Sequence, residues 1–175
     1  MYRLNAFLFA ALAALILSTA CSPALNWRDV RPVGTRLALL LPCKPDKAEK
    51  TVPLGGKPTR LMMVGCNAGG ATFAVASADM GEAAMAASVL AQWQALTLEN
   101  MRAQTAQATA LKLPGAIVQP PAVLVKAMGR RSDGTAVSGH AAYFAQGSQV
   151  FQVVLYADQI PPGLSETFFS SIKFE

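Results

Sequence analysis

Apolar and polar residues alternate along most of the chain, and this alternation predicts β-strands. Stretches rich in glycine, proline and small polar residues separate the strands, as turns require. The predicted strands are 36–41, 50–54, 60–66, 72–78, 122–128, 135–145 and 149–157. The last of them is apolar on both faces, so we expect a central strand that is covered by a further layer on each side. Its two apolar faces consist of Phe151, Val153 and Leu155, and of Val150, Val154 and Tyr156.

Two segments have helical spacing instead. Met85, Val89 and Trp93 recur at every fourth position, which predicts an amphipathic helix over 82–106. A pair of prolines then begins a short helix over 163–171, because proline is accepted in the first turn of a helix. The order of strands, long helix, strands and short helix predicts an α+β fold. We expect a mostly antiparallel β-sheet covered by one long mid-chain helix and a short C-terminal helix.

The first 20 residues have a different pattern. Arg3 supplies one positive charge, an unbroken apolar run follows from Ala6 to Leu17, and small residues then lead to Cys21. The run is shorter than the roughly 20 residues that a transmembrane helix needs. This pattern is typical of a secretory signal peptide, so we expect residues 1–20 to be removed.

The end of this segment, Leu17-Ser18-Thr19-Ala20-Cys21, resembles the processing site of bacterial lipoproteins, in which cleavage precedes a cysteine that is then acylated. Ala20 matches the small residue before the cut, whereas Ser18 stands where the family usually has leucine. The resemblance implies a membrane anchor of three acyl chains on Cys21, and Ser22 implies delivery to the outer membrane, facing the periplasm. An ordinary secretory signal, which would leave Cys21 as a free thiol, is the alternative.

The rest of the chain divides into two parts. Residues 21–34 are short, polar and contain two prolines, which predicts a lipidated tether. Residues 35–175 are long enough to bury a real core, and we expect them to form a single periplasmic α+β domain.

The distribution of charge along the chain argues against a nucleic-acid partner. The chain carries 15 Lys and Arg against 10 Asp and Glu, a formal net charge of +5. These basic residues are spread out, without the basic stripe and interleaved aromatics of a nucleic-acid-binding surface, so we expect no nucleic-acid partner. Arg130 and Arg131 precede a turn at Asp133-Gly134, where they would bind an anion or a partner, or simply form a solvated hairpin end.

The chain has three cysteines. If Cys21 is acylated, Cys43 and Cys66 remain as a pair in an oxidising compartment, which predicts a disulfide between neighbouring strands. In the chain-entropy model such a bond stabilises the fold by about 3 kcal/mol. A metal site built from both cysteines and His140 is the alternative, but this spacing matches no compact ligand motif. We expect neither a metal nor a cofactor.

Candidate catalytic groups are few. His140 is the single histidine, and a nucleophilic arrangement of Ser138, His140 and Asp133 is conceivable. Residues two apart on one strand do not form the usual triad geometry, however, and Gly-x-Ser-x-Gly is absent. No pair of carboxylates is brought together by the sequence for acid and base catalysis. We therefore predict a partly buried strand histidine and a protein that is not an enzyme.

The order and endings of several predicted elements within residues 35–175 are similar to those of a known fold. These elements are a strand ending in Leu39-Leu40-Leu41-Pro42, a strand pair ending at Asp79, the mid-chain helix, and a closing strand followed by Phe168-Phe169-Ser170-Ser171-Ile172-Lys173-Phe174. In these elements the domain resembles the fold shared by the photosystem II extrinsic subunit P and DcrB-type bacterial envelope lipoproteins. The resemblance implies a non-catalytic accessory or assembly factor, and it assigns no functional residue in this chain.

Two functions from different classes follow from these observations. The first is a non-catalytic envelope lipoprotein, anchored through Cys21, that binds a protein partner or supports envelope assembly. The second is a periplasmic carrier of a small apolar or lipid ligand held between sheet and helix, which the hydrophobic content of 53% and the seven methionines favour. An enzyme is the third, and it would need a pocket in which acidic residues converge on His140.

Overall fold

A computed structural model describes residues 24–117 and 119–175. Cys21 and the predicted signal peptide lie outside these residues. In chain order the elements are β1 (Arg28–Val30), β2 (Leu37–Leu41), β3 (Asp46–Leu54), β4 (Lys57–Ala68), β5 (Ala71–Asp79), α1 (Ala86–Asn100), β6 (Thr105–Ala110), β7 (Val123–Arg130), β8 (Ala136–Gln146), β9 (Gln149–Ala157), α2 (Pro162–Ser170) and β10 (Lys173–Phe174). In the described part of the chain no helix is long and apolar enough to cross a membrane.

The strands form two antiparallel sheets. A seven-stranded sheet has the order β3-β4-β5-β9-β8-β7-β6, and a three-stranded sheet has the order β1-β2-β10. Helix α1 packs on one face of the large sheet, while the small sheet and α2 pack on the other. The predicted α+β fold with a mostly antiparallel sheet is confirmed.

Strand β9 lies in the middle of the large sheet, between β5 and β8. Phe151, Val153 and Leu155 are fully buried in the core on the α2 side. Val150 and Val154 are buried in the core beneath α1. The central, doubly covered strand that the apolar pattern predicts is therefore present, because side chains on a strand point alternately to its two faces.

The core on the α2 side is rich in aromatic rings. Phe73 makes edge-to-face contacts with both Phe168 and Trp27, at centroid distances of 5.1 and 6.0 Å. Phe144 stacks on Phe151 at 5.2 Å. Such pairs add roughly 0.5–1.5 kcal/mol each beyond the area they bury, and the two contacts of Phe73 hold α2 and the N-terminal segment against the large sheet.

The mid-chain helix is shorter than predicted, and the predicted range 82–106 is wrong at both ends. Residues 83–85 form a 3₁₀ turn, and α1 ends at Asn100. Arg102 then adopts a left-handed φ of 46°, and Ala106 lies in strand β6 instead of the helix. The helix stops because the carbonyl of Met101 accepts a hydrogen bond from the Arg130 N–H of β7, at 2.7 Å, which turns the chain onto the sheet.

Two features of the N-terminal part differ from what the sequence predicts. Strand β1 lies within the segment 21–34, for which the sequence predicts a tether, and pairs with β2. Cys43 and Cys66 form a disulfide, with 6.0 Å between their Cα atoms. Cys43 follows β2 of the small sheet and Cys66 belongs to β4 of the large one, so the bond joins two layers instead of neighbouring strands of one sheet.

Close contact between α1 and β7 generates a testable prediction. A Cβ atom at Gly129 would lie 2.1 Å from the carbonyl oxygen of Met101, a backbone atom that cannot move without shifting the helix end. We expect Gly129→Ala to lower the free energy of unfolding by about 1–3 kcal/mol, as overpacked sites do. Urea unfolding of the full chain measures it.

Gly163 supplies the matched control. It lies in α2, and a Cβ there would have no neighbour within 4 Å. Gly163→Ala should leave the stability unchanged or raise it by up to about 1 kcal/mol, since alanine is the better helix former. Equal stability of the two variants would contradict the predicted contact.

Candidate functional site

A groove opens between α1 and the β3 side of the large sheet. It has a volume of about 460 Å³. Most of its lining is apolar and comes from β3, β4, α1 and β9. The lining residues are Val52, Pro53, Leu54, Leu61, Trp93, Leu96, Thr97, Asn100, Met101, Gln152 and Tyr156. Leu96 is 38% exposed, although the spacing of apolar residues would place it in the packed face of the helix.

Neutral polar groups form the floor of this groove. The Gln152 side-chain amide donates to the Thr97 hydroxyl at 2.7 Å and to the Tyr143 hydroxyl at 3.1 Å. The Thr97 hydroxyl in turn donates to the Trp93 carbonyl at 2.8 Å. Burial raises the pKa of Tyr143 and of Tyr156, so both phenols stay protonated at neutral pH. The groove therefore offers apolar walls and an uncharged floor.

A second cavity, of about 360 Å³, lies on the opposite face of the sheet beside His140. His140 of β8 is directly opposite Lys126 of β7, and both line the cavity. The Nδ1 atom of His140 is 2.7 Å from the Ser165 hydroxyl oxygen. Burial, and to a lesser degree the charge of Lys126, lowers the pKa of His140. The residues that line this cavity include no carboxylate.

The conceivable nucleophilic arrangement of Ser138, His140 and Asp133 is not assembled. The Ser138 hydroxyl donates to the Asp158 carbonyl at 3.1 Å. The Asp133 carboxylate is exposed in the β7–β8 turn, where it accepts from the Thr135 N–H and hydroxyl at 2.9 and 2.7 Å. No member of the three makes a hydrogen bond to another among the described residues.

Ser165 is the hydrogen-bond partner of His140, and the sequence patterns did not identify it. It is 5% exposed, and its hydroxyl links α2 to the large sheet. A hydroxyl this deeply buried is closed to a substrate, so the pair is a structural contact between layers. The sequence does contain a signal for it, because Ser165 precedes Phe168 and Phe169 by three and four residues and must share their inward face.

The remaining sequence-predicted groups are engaged in local structure. Cys43 and Cys66 are joined to each other, so the alternative metal site with His140 is not formed. Within residues 24–117 and 119–175 no group of three His, Cys, Asp or Glu side chains could hold a metal ion. Arg130 donates to the Gly134 carbonyl at 3.0 Å, and Arg131 forms an ion pair with Asp158 at 2.8 Å.

An open polar depression of about 660 Å³ also lies near the ends of β4 and β5. Its charged residues are occupied by neighbours. Lys57 donates to the Met80 carbonyl at 3.1 Å, and Arg60 is paired with the carboxylate of Glu49. The Asp79 carboxylate accepts the Gly81 N–H at 2.9 Å, which lowers its pKa. The groove beneath α1 is therefore the better candidate for a binding site.

Comparisons with known proteins give little guidance. No family model matches this chain, and no curated protein is significantly similar to it. A solved structure of a protein of unknown function from Pseudomonas aeruginosa, PA94, aligns with a TM-score of 0.36 and 16% sequence identity, covering 79% of this chain and 85% of that one.

The environment of His140 predicts a pH-dependent stability. Because its pKa lies below the ordinary value of 6.5, the unfolded chain takes up a proton at a higher pH than the native chain does. The stabilisation is complete above pH 6.5 and is lost as the pH falls through the lowered pKa. We expect the free energy of unfolding to decrease between about pH 7.5 and pH 5 in the wild type and to decrease less in His140→Gln.

Urea unfolding of both proteins across this range provides the measurement. Asp79, Asp133 and Glu175 also have lowered pKa values, but the ordinary values of these carboxyl groups, 3.8, 3.8 and 4.5, place their effect at lower pH. Identical pH profiles for the two proteins would show that His140 titrates alike in the folded and unfolded states.

Proposed function

We propose that this chain is a non-catalytic envelope lipoprotein, anchored through Cys21 in the outer membrane, whose periplasmic domain acts by binding. The lipoprotein-like signal ending at Cys21 supports the anchor. The disulfide between Cys43 and Cys66 suits an oxidising compartment. The cavity at His140, which lacks a carboxylate partner, favours binding over acid and base catalysis.

The groove beneath α1 is the main structural support for the proposal that the domain acts by binding. Its volume of about 460 Å³ lies within the range of small-molecule sites, which is roughly 300–1,000 Å³. Its side chains include no charged group, so burying a charged ligand there would cost desolvation without a compensating ion pair. We infer that the groove holds a small apolar or lipid ligand, with its apolar part against Trp93 and Leu61.

A protein partner, or a role in envelope assembly, is the second candidate function. Met128 favours it, because this large apolar side chain is 59% exposed on the open face of β7. Met128 is well suited to such a role, since its flexible, polarisable side chain adapts to different surfaces.

Ligand binding can be tested at the rim of the groove. Leu96→Glu places a charge at the opening, and we expect it to weaken the binding of an alkyl chain by about tenfold or more. Ala95→Glu is the matched control, because it adds the same charge to an exposed neighbouring position that does not line the groove.

Tryptophan fluorescence provides the measurement. The chain has two tryptophans, and Trp27 lies on the other side of the large sheet, against Phe73. In a Trp27→Phe background, a fatty acid brominated along its chain should quench Trp93 by contact in the parent and in Ala95→Glu, but only at higher concentration in Leu96→Glu. Equal quenching of all three proteins would show that Leu96 does not border the bound ligand, and no quenching would refute a lipid carrier.

The anchor has its own test. We expect the wild-type chain, expressed in bacteria fed with radiolabelled fatty acid, to incorporate label, and Cys21→Ala to incorporate none, because the acylated thiol is missing. Cys43→Ala controls for the general loss of a cysteine. Equal labelling of wild type and Cys21→Ala would refute acylation at this residue.

A further inference from the structure

The two edges of the large sheet differ in their protection against strand pairing. Edge strand β3 carries Lys47, Glu49, Lys50 and Pro53, which are the residue types that discourage pairing with another chain. Edge strand β6, Thr-Ala-Gln-Ala-Thr-Ala over residues 105–110, has no charge and no proline, and each of its residues is exposed. An exposed edge without these devices is a surface on which a further strand can form hydrogen bonds.

The register of β6 shows which backbone groups are free to pair. Leu111 donates its N–H to the Ala122 carbonyl at 2.9 Å, and this pair continues the β6–β7 register of Thr109 with Leu124. Because hydrogen-bonded residues alternate along an antiparallel strand, residues 107 and 109 bond to β7. The N–H and C=O groups of Ala106 and Ala108 therefore point away from the sheet.

The sequence of β6 is its own mirror image about Gln107. Residues 105–109 read Thr-Ala-Gln-Ala-Thr in both directions. In an antiparallel pair of two copies centred on Gln107, Ala106 faces Ala108 of the second copy, so the outward groups of both meet as a hydrogen-bonded pair. Thr105 faces the second copy's Thr109 on one side of the sheet, a pairing that suits antiparallel strands. We propose that β6 is the interface of a symmetric dimer, in which a second copy of this chain extends the sheet.

The geometry of this dimer suits two chains held in one membrane. Its two-fold axis is perpendicular to the sheet, so both α1 helices lie on one face and both small sheets on the other. Strand β1 belongs to the small sheet, and the chains of both copies therefore enter the fold on the same side, as the proposed anchors require. Anchoring two chains in one membrane also raises their effective concentration, so a short interface suffices.

Charge within β6 does not oppose the pairing, because residues 105–110 are uncharged. The nearest cation in line with the axis is Lys126, which is opposite Gln107 in the β6–β7 register. The Lys126 side chains of the two copies would be three strand spacings apart, about 14 Å. This separation exceeds the Debye length of about 8 Å at physiological ionic strength, so their repulsion is largely screened.

Cysteine cross-linking of the full chain in intact membranes tests the interface and its register. Gln107 faces its own copy across the axis at a Cα separation of about 4.5 Å, so Gln107→Cys should give a covalent dimer on oxidation with copper phenanthroline. Thr105→Cys is the matched control: its copies would be about 14 Å apart, too far for a disulfide. Co-expressed Thr105→Cys and Thr109→Cys chains should cross-link with each other.

Charge substitutions at the axis supply a second measurement that does not depend on cysteine. Gln107→Lys and Gln107→Glu each place like charges opposite each other, and we expect each to raise the dimer dissociation constant of the detergent-purified full chain about fivefold. An equimolar mixture of the two should recover the wild-type value. Absence of a Gln107→Cys dimer in intact membranes, or cross-linking of Thr105→Cys alone as strong as that of Gln107→Cys, would overturn the proposal. The same holds if Gln107→Cys cross-links only to a different protein.

Discussion

Strand β9 must be shielded from water on both faces, and the layers of the molecule follow from this requirement. Its residues Phe151 and Val150 point to opposite sides of the sheet, and each lies in a separate core. One layer cannot cover both, so α1 packs on one side while α2 and the small sheet pack on the other. Burial of this strand thus determines where the groove and the His140 cavity lie, one on each face of the same sheet.

The point at which α1 ends determines the structure of the segment that follows it, at the β6 edge of the large sheet. The Met101 carbonyl bonds to the Arg130 N–H, and Gly129 lets the helix end approach the backbone of β7. With the helix stopped there, the residues that follow become edge strand β6 instead of a further helical turn. The uncharged edge and the proposed dimer interface are therefore consequences of a single helix-to-strand contact.

The candidate site was only partly accessible to sequence reasoning. The apolar spacing identified Trp93 as a residue of the helix that faces the sheet, and it is buried there. The half-exposed rim at Leu96 and the partnership of Gln152 with Thr97 depend on how far the helix leans over neighbouring strands. Such distances arise between segments remote in the chain, and local periodicity contains no information about them.

By itself, the sequence determined strands β2 to β5 and β7 to β9, the burial of β9 on both faces, the short terminal helix and the pairing of Cys43 with Cys66. These features follow from alternation, proline position and cysteine number, which are local or countable properties. Only the tertiary structure decided that the disulfide joins two sheets, that Ser165 meets His140, and that residues 105–110 form a strand. The alanine-rich segment 103–110 is compatible with helix and with strand, and pairing with β7 settles the choice because the backbone hydrogen bonds to β7 outweigh a weak local preference.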